Sequence, residues 1–130
     1  MQFTIQVEIA ASREEIFKAW LDSAQHSDMT GSHATAGNQI GDSFTSFDDY
    51  AWGTNVELRL NEKIGQSWRT TEFADNEPDS LLEITLLDSG ENTLLTIHHS
   101  NLPDHGMTYR QGWIDYYFEP MKAYFTRDVI

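Results

Sequence analysis

Residues 107–125 constrain the fold of this chain more than any other stretch. They hold Tyr109, Trp113, Tyr116, Tyr117, Phe118, Tyr124 and Phe125. Trp113, Tyr116, Tyr117, Met121, Tyr124 and Phe125 recur near the helical period, so a helix there presents one broad apolar stripe. From residue 104 to residue 126 such a helix runs about 34 Å, enough to cross a small domain. A stripe that wide has to lie on something, and nearly everything upstream alternates like β-strand. The pattern predicts an α+β fold in which a curved antiparallel sheet grips one long closing helix. Pro120 interrupts it: proline lacks an amide hydrogen and crowds the Tyr116 carbonyl, so a kink is expected there.

The upstream segments supply the rest of that architecture. Phe3, Ile5, Val7 and Ile9 share one face of a first strand, with Gln2, Thr4, Gln6 and Glu8 on the other. Ser12-Arg13-Glu14-Glu15 is a capping box, and Ile16, Phe17, Trp20 and Leu21 give the helix it starts an apolar face. Asp22 caps a second short helix that ends before Gly31. Brief strands are expected at 33–36 and 43–47, then longer ones at 52–60 and from Ile64 to Thr70 with Ile64, Gln66, Trp68 and Thr70 on one face. Leu82, Ile84 and Leu86 form the next inward row, and Leu95 and Ile97 lead out of the Ser89-Gly90-Glu91-Asn92 hairpin on the last strand. Asp104 is placed to cap the closing helix. The order is β-α-α, six further strands, and a helix.

Length and composition then exclude whole classes of function. At 130 residues the chain fits a single domain, 1–130, that buries roughly two-thirds of its unfolded surface. Cysteine is absent, which rules out disulfides and thiolate metal sites and suits a reducing, cytoplasmic setting. Residues 1–10 lack the basic and apolar regions of a signal peptide, and no apolar run approaches 18 residues. Acidic residues outnumber basic ones, 21 to 8, so nucleic acid and anionic lipid headgroups are repelled. That excess is either a solubilising surface or an attraction for a basic protein partner.

Few residues carry obvious chemistry. No G-x-S-x-G elbow and no H-E-x-x-H spacing is present. His98 and His99 are strand neighbours and point to opposite faces, so they do not clamp one metal. His99 shares parity with Leu95 and Ile97 and points inward. There it is either a hydrogen-bonded core histidine or a group that binds a ligand hydroxyl or carbonyl, or shuttles a proton. His33 lies either on the surface or at the same mouth. Asp48 and Asp49 are adjacent acids in a turn and would ligate a cation only with oxygen partners the sequence does not supply. Arg69 alternates away from Trp68 and lies outside any cavity, while Arg110 meets either an anionic headgroup or a surface counter-charge. Trp20, Trp68, Trp113, Tyr116 and Tyr117 combine apolar area with polar tips, which suits a small-molecule pocket as well as it suits a dry core.

Several stretches together resemble a known family. Ala11-Ser12-Arg13-Glu14-Glu15-Ile16-Phe17-Lys18-Ala19-Trp20, Met29-Thr30-Gly31, Phe47-Asp48-Asp49-Tyr50 with Gly53, Gln66-Ser67-Trp68-Arg69, His99 before Leu102-Pro103, and Gly112-Trp113 occur in order over nearly the whole chain. In these the chain resembles the activator of heat-shock-protein-90 ATPase homologues, within the START/polyketide-cyclase superfamily and its birch-pollen-allergen-like helix-grip fold. Asp49 stands where relatives often carry glycine, and Trp52 adds a bulky aromatic beside that turn. The resemblance implies a cavity between sheet and long helix suited to lipids, polyketides or similar apolar molecules. It does not imply a specific activity, because this fold hosts binders, cyclases and co-chaperones alike.

Residues and resemblance together point to a cytoplasmic, monomeric domain that binds a small apolar or amphipathic ligand without covalent catalysis. Its ligand-binding residues are Trp20, Trp52, Trp68, His99, Trp113, Tyr116 and Tyr117, with no catalytic group, metal or cofactor. One alternative is a protein-interaction module, co-chaperone-like and acting on a chaperone ATPase. The other is a cyclase or hydrolase with His99 as general acid and base.

Overall fold

A computed structural model of the protein describes residues 1–126. Six antiparallel strands form one sheet in the order β1-β6-β5-β4-β3-β2, with β1 at Phe3–Ile9, β2 at Ser43–Ser46, β3 at Ala51–Arg59, β4 at Lys63–Thr70, β5 at Ser80–Ser89 and β6 at Asn92–Ser100. Helices α1 (Arg13–Trp20) and α2 (Ser23–Thr30) link β1 to β2. The closing helix is continuous but not uniform. It opens with a 3-10 turn at Asp104–Met107, becomes α-helical over Thr108–Trp113, widens to a π-helix over Ile114–Phe118 and ends α-helical over Glu119–Tyr124. This is the helix-grip arrangement: a curved sheet around a long C-terminal helix.

Local signals place the first three elements where they were expected. The Ser12 hydroxyl accepts from the Glu15 amide at 3.1 Å, and the Glu15 carboxylate accepts from the Ser12 amide at 3.1 Å, so two otherwise orphaned donors of α1 are satisfied. The Asp22 carboxylate accepts from the Gln25 amide at 2.9 Å and starts α2, which ends at Gly31 in the left-handed conformation, φ 77°. Alternation in β1, β5 and β6 buries Phe3, Ile5, Ile9, Leu82, Ile84, Leu86, Leu95 and Ile97 on the helix side. Each such apolar side chain, fully buried, contributes about 1.5–3 kcal/mol.

Three expectations are corrected. The strand at 33–36 shrinks to a single bridge between Thr35 and Thr45, so five strands follow α2 rather than six. The cause lies in α2, whose serines take up the neighbouring backbone. The Ser27 hydroxyl accepts from the Ala34 amide at 2.9 Å, and Ser23 does the same for Ala36 at 2.8 Å. The strand expected at 52–60 runs over Ala51–Arg59 and is not regular: a register shift between Asn55 and Glu57 leaves Val56 exposed and Asn55 buried. Asn55 then donates to the carbonyls of Gly37 and Gln39, both at 2.9 Å, and accepts from Gln66 at 2.9 Å. Asp104 makes no cap, because the helix already begins at it and Pro103 holds the capping position.

The apolar stripe of the closing helix is also rotated. Tyr109, Trp113, Tyr117, Met121 and Phe125 are buried in steps of four, joined by Phe118, while Tyr116 and Tyr124 face outward. A π turn holds one residue more than an α turn, so the residues beyond it are turned back by about 100° relative to an unbroken α-helix. The Glu119 amide bonds to the Ile114 carbonyl five residues back, just ahead of Pro120. The wide turn thus sits where the proline cannot donate to Tyr116 and relieves the crowding that a regular helix would suffer.

Candidate functional site

A cleft of about 500 Å³ opens between the closing helix and the β2–β4 side of the sheet. Trp68 from β4, and Tyr109, Trp113, Tyr116 and Tyr117 from the helix, give it aromatic walls, and Phe47 and Tyr50 add two more rings from the turn after β2. Two small residues leave the room: Ala51 on the sheet and Gly112 on the helix. A side chain begun at Gly112 would meet nothing nearer than the Tyr116 ring at 4.0 Å. Of the seven residues expected to bind ligand, Trp68, Trp113, Tyr116 and Tyr117 line this cleft and Trp20, Trp52 and His99 do not.

Trp20 lies behind the wall. Its ring stacks on Tyr117 with centroids 4.9 Å apart, and its indole N–H donates to Gln66 at 3.4 Å. Trp52 is on the opposite face of the sheet, exposed and paired across strands with Arg69, because Ala51 takes the inward position beside it. Arg69 is turned outward as well, donating to Asp79 at 2.8 Å and to the Glu77 carbonyl at 3.0 Å.

His99 is wholly buried, and both ring nitrogens are occupied. The Trp113 indole N–H can only donate, and it reaches Nδ1 at 3.0 Å, so the proton is on Nε2. Nε2–H donates to the Ser80 hydroxyl at 2.8 Å, which donates in turn to the Trp68 carbonyl at 2.8 Å. Burial, followed by the charge of His98, pushes the His99 pKa down to about 3. A neutral imidazole with no free nitrogen and no face on the cleft does not move protons for a substrate. It locks Trp113 and β5 in place.

A second buried histidine, His26, lies outside the residues expected to form the site. Its Nδ1–H donates to the Trp20 carbonyl and its Nε2 accepts from the Tyr117 hydroxyl, both at 2.8 Å, and burial lowers its pKa. The spacing of His26 and Met29 on α2, both buried, was the available signal. Burial raises the Tyr117 phenol far above its ordinary value. The wall of the cleft is therefore fixed from behind by two neutral histidines.

At the open end the polar groups are different. The Tyr109 and Thr70 hydroxyls are 2.8 Å apart, and Tyr109 reaches the exposed Glu72 carboxylate at 3.4 Å. Burial raises the Tyr109 and Tyr50 phenols, and the charge of Glu72 pushes both the same way. His33 and Arg110 are exposed and do not line the cleft. Among the described residues no three His, Asp or Glu side chains converge as metal ligands would, and no helix is long and apolar enough to cross a membrane.

The turn that carries Phe47 is strained. Phe47, Asp48 and Asp49 all have positive φ, 53°, 55° and 72°. The Asp48 amide donates to the His33 carbonyl at 3.1 Å, and the Phe47 ring meets Tyr116 and Tyr117 edge-on at 5.9 and 5.6 Å. Asp49 occupies the backbone region that costs glycine nothing and an L side chain something.

Comparison with known proteins agrees with this geometry. The family model described as "Activator of Hsp90 ATPase homolog 1-like protein" matches residues 10–126. The chain belongs to that family. Among solved structures, this member of the activator of Hsp90 ATPase homolog 1-like family is similar to an HSP90 activator from Plasmodium falciparum, at 20% identity and TM-score 0.86 over 95% of each chain. It is also similar to the Aha1 dimer from Colwellia psychrerythraea, at 14% identity and TM-score 0.81 over 97% of each chain. CalU16 from Micromonospora echinospora aligns at 18% identity and TM-score 0.78, over 96% of this chain and 76% of that one. At these identities the likeness to solved structures shows the fold alone. A search of curated proteins found no match.

Proposed function

We propose that this domain binds a small apolar or amphipathic molecule, such as a lipid or an aromatic polyketide, in the cleft beneath its closing helix. The observation that carries the reading is a cleft of about 500 Å³ walled by aromatic rings and kept open by a glycine inside a helix. Glycine costs a helix interior about 1 kcal/mol relative to alanine, and here that cost leaves space instead of relieving a clash. Walls of this kind with a few oriented polar groups are what small-molecule sites use. We read the role as binding without covalent chemistry, because His26 and His99, the histidines buried behind the wall, have their ring nitrogens occupied. We read residues 1–130 as a single domain acting as a cytoplasmic monomer.

NMR titration with a panel of fatty acids and polycyclic aromatics tests this. The Trp68 and Trp113 indole signals should shift in the wild type and stay put in Gly112→Leu, whose side chain fills the cleft while the fold persists. Equal shifts in both proteins, or none in either, would sink the reading.

Family membership favours a second reading, contact with a chaperone, since one similar structure is of an HSP90 activator. The excess of acidic residues would then serve a basic docking surface. It predicts salt-sensitive stimulation of an Hsp90 ATPase that Gly112→Leu leaves untouched.

A further inference from the structure

We propose that the guest this cleft selects is an amine: a planar or apolar body carrying a positively charged nitrogen, in preference to a carboxylate of the same shape. The proposal rests on the binding reading above and adds the charge of the ligand.

Among the residues lining the cleft, Glu72 alone bears a formal charge. Among the described residues it forms no ion pair. Its carboxylate meets the Tyr109 hydroxyl at 3.4 Å and has the Tyr50 phenol as a second neighbour, so both of its partners are uncharged and its negative charge is not balanced by a cation. The basic side chains on adjoining segments are engaged elsewhere. Arg69 is spent on Asp79 and the Ala74 and Glu77 carbonyls, and His105 on Glu77 at 3.1 Å. Arg110 is exposed and off the cleft. An anionic headgroup entering here therefore meets repulsion and no donor of opposite charge.

The walls favour the opposite sign as well. The faces of Trp68, Trp113 and the tyrosines carry negative π-density, which attracts an ammonium group most strongly where water is thin. Burial keeps the Tyr50 and Tyr109 phenols protonated, so they stand beside Glu72 as neutral groups and add no positive charge to compete with a ligand's ammonium. At long range the net charge of −13 steers cations toward the molecule and anions away.

The test uses three ligands with one naphthyl body: naphthylethylamine, its N-acetyl derivative and naphthylpropionic acid. Each is titrated at pH 7 and low ionic strength into the wild type and Glu72→Gln, a surface change that spares the core. The amine should bind about tenfold tighter than the neutral amide, and the acid weakest. In Glu72→Gln the amine should lose most of that advantage while the amide is unchanged. Equal affinity for amine and acid overturns the proposal and leaves the binding reading standing. An amine preference that survives Glu72→Gln intact also overturns it, since net charge alone would then be the cause. If none of the three binds, both readings fall.

Discussion

A histidine with both ring nitrogens occupied stabilises a core at neutral pH and becomes a liability in acid. His99 has a folded pKa of about 3 against an ordinary 6.5. The unfolded chain therefore binds a proton that the native one refuses, and the contribution of His99 is lost as pH falls from about 6.5 toward 3. His26 is lowered for the same reason and adds to the loss. Each histidine steepens the fall by up to about 1.4 kcal/mol per pH unit. Urea denaturation at several pH values should show His99→Gln to be less stable at pH 7, with a shallower decline between pH 6 and 4. An unchanged slope would contradict a buried neutral imidazole. Asp49 makes the converse case, because its strain is in the backbone. Asp49→Gly should raise stability by up to about 1 kcal/mol, and Asp49→Val should lower it by about 1–2 kcal/mol, both measured by thermal melting. Sequence parity gave the inward direction of His99 correctly. It could not reveal the partners, Ser80 and Trp113, which lie 19 and 14 residues away along the chain.

At the scale of the element, the closing helix shows how one proline redirects a whole face. A regular period would bring Tyr116 and Tyr124 onto the sheet with Trp113. The π-helix over Ile114–Phe118 instead sends both outward and aligns Tyr117, Met121 and Phe125 with Trp113. That rotation places Tyr116 at the rim of the cleft and Tyr117 in its wall. Gly112, one turn earlier, shows the conflict between helix stability and open space. Gly112→Ala should stabilise the protein by up to about 1 kcal/mol, because alanine suits a helix and its methyl meets only Tyr116 at 4.0 Å. The same methyl narrows the cleft, so affinity for a bulky aromatic guest should fall as the melting temperature rises. A loss of stability in Gly112→Ala would show that this glycine serves packing rather than space. The starts of α1 and α2, and the end of α2 at Gly31, were legible because a cap is written within one turn of the chain. A π turn depends on where strain is relieved in three dimensions, and the stripe alone does not announce it.

Over the whole molecule, 21 acidic residues against 8 basic ones make self-repulsion a general load on the fold. Raising the ionic strength from about 10 mM to 150 mM shortens the Debye length from about 30 Å to 8 Å and should raise the melting temperature. A fall with salt would mean that specific ion pairs, such as Lys63 between Glu57 and Glu83 at 3.1 and 2.9 Å, outweigh the repulsion. The architecture itself was readable without coordinates: alternation marked β1, β5 and β6, caps marked α1 and α2, and the aromatic run marked the helix that must cross the sheet. Those features arise from interactions among near neighbours in the chain, which a sequence displays directly. The location of the hollow was not readable in that way. Trp52 and Trp68 look equally suited to a pocket, yet a bulge, a neighbouring Ala51 and the twist of one helix put the first outside and the second in the wall. An aromatic ring packs as well against another ring as against a guest, so only the distances between elements far apart in sequence decide which surfaces meet and where a space is left.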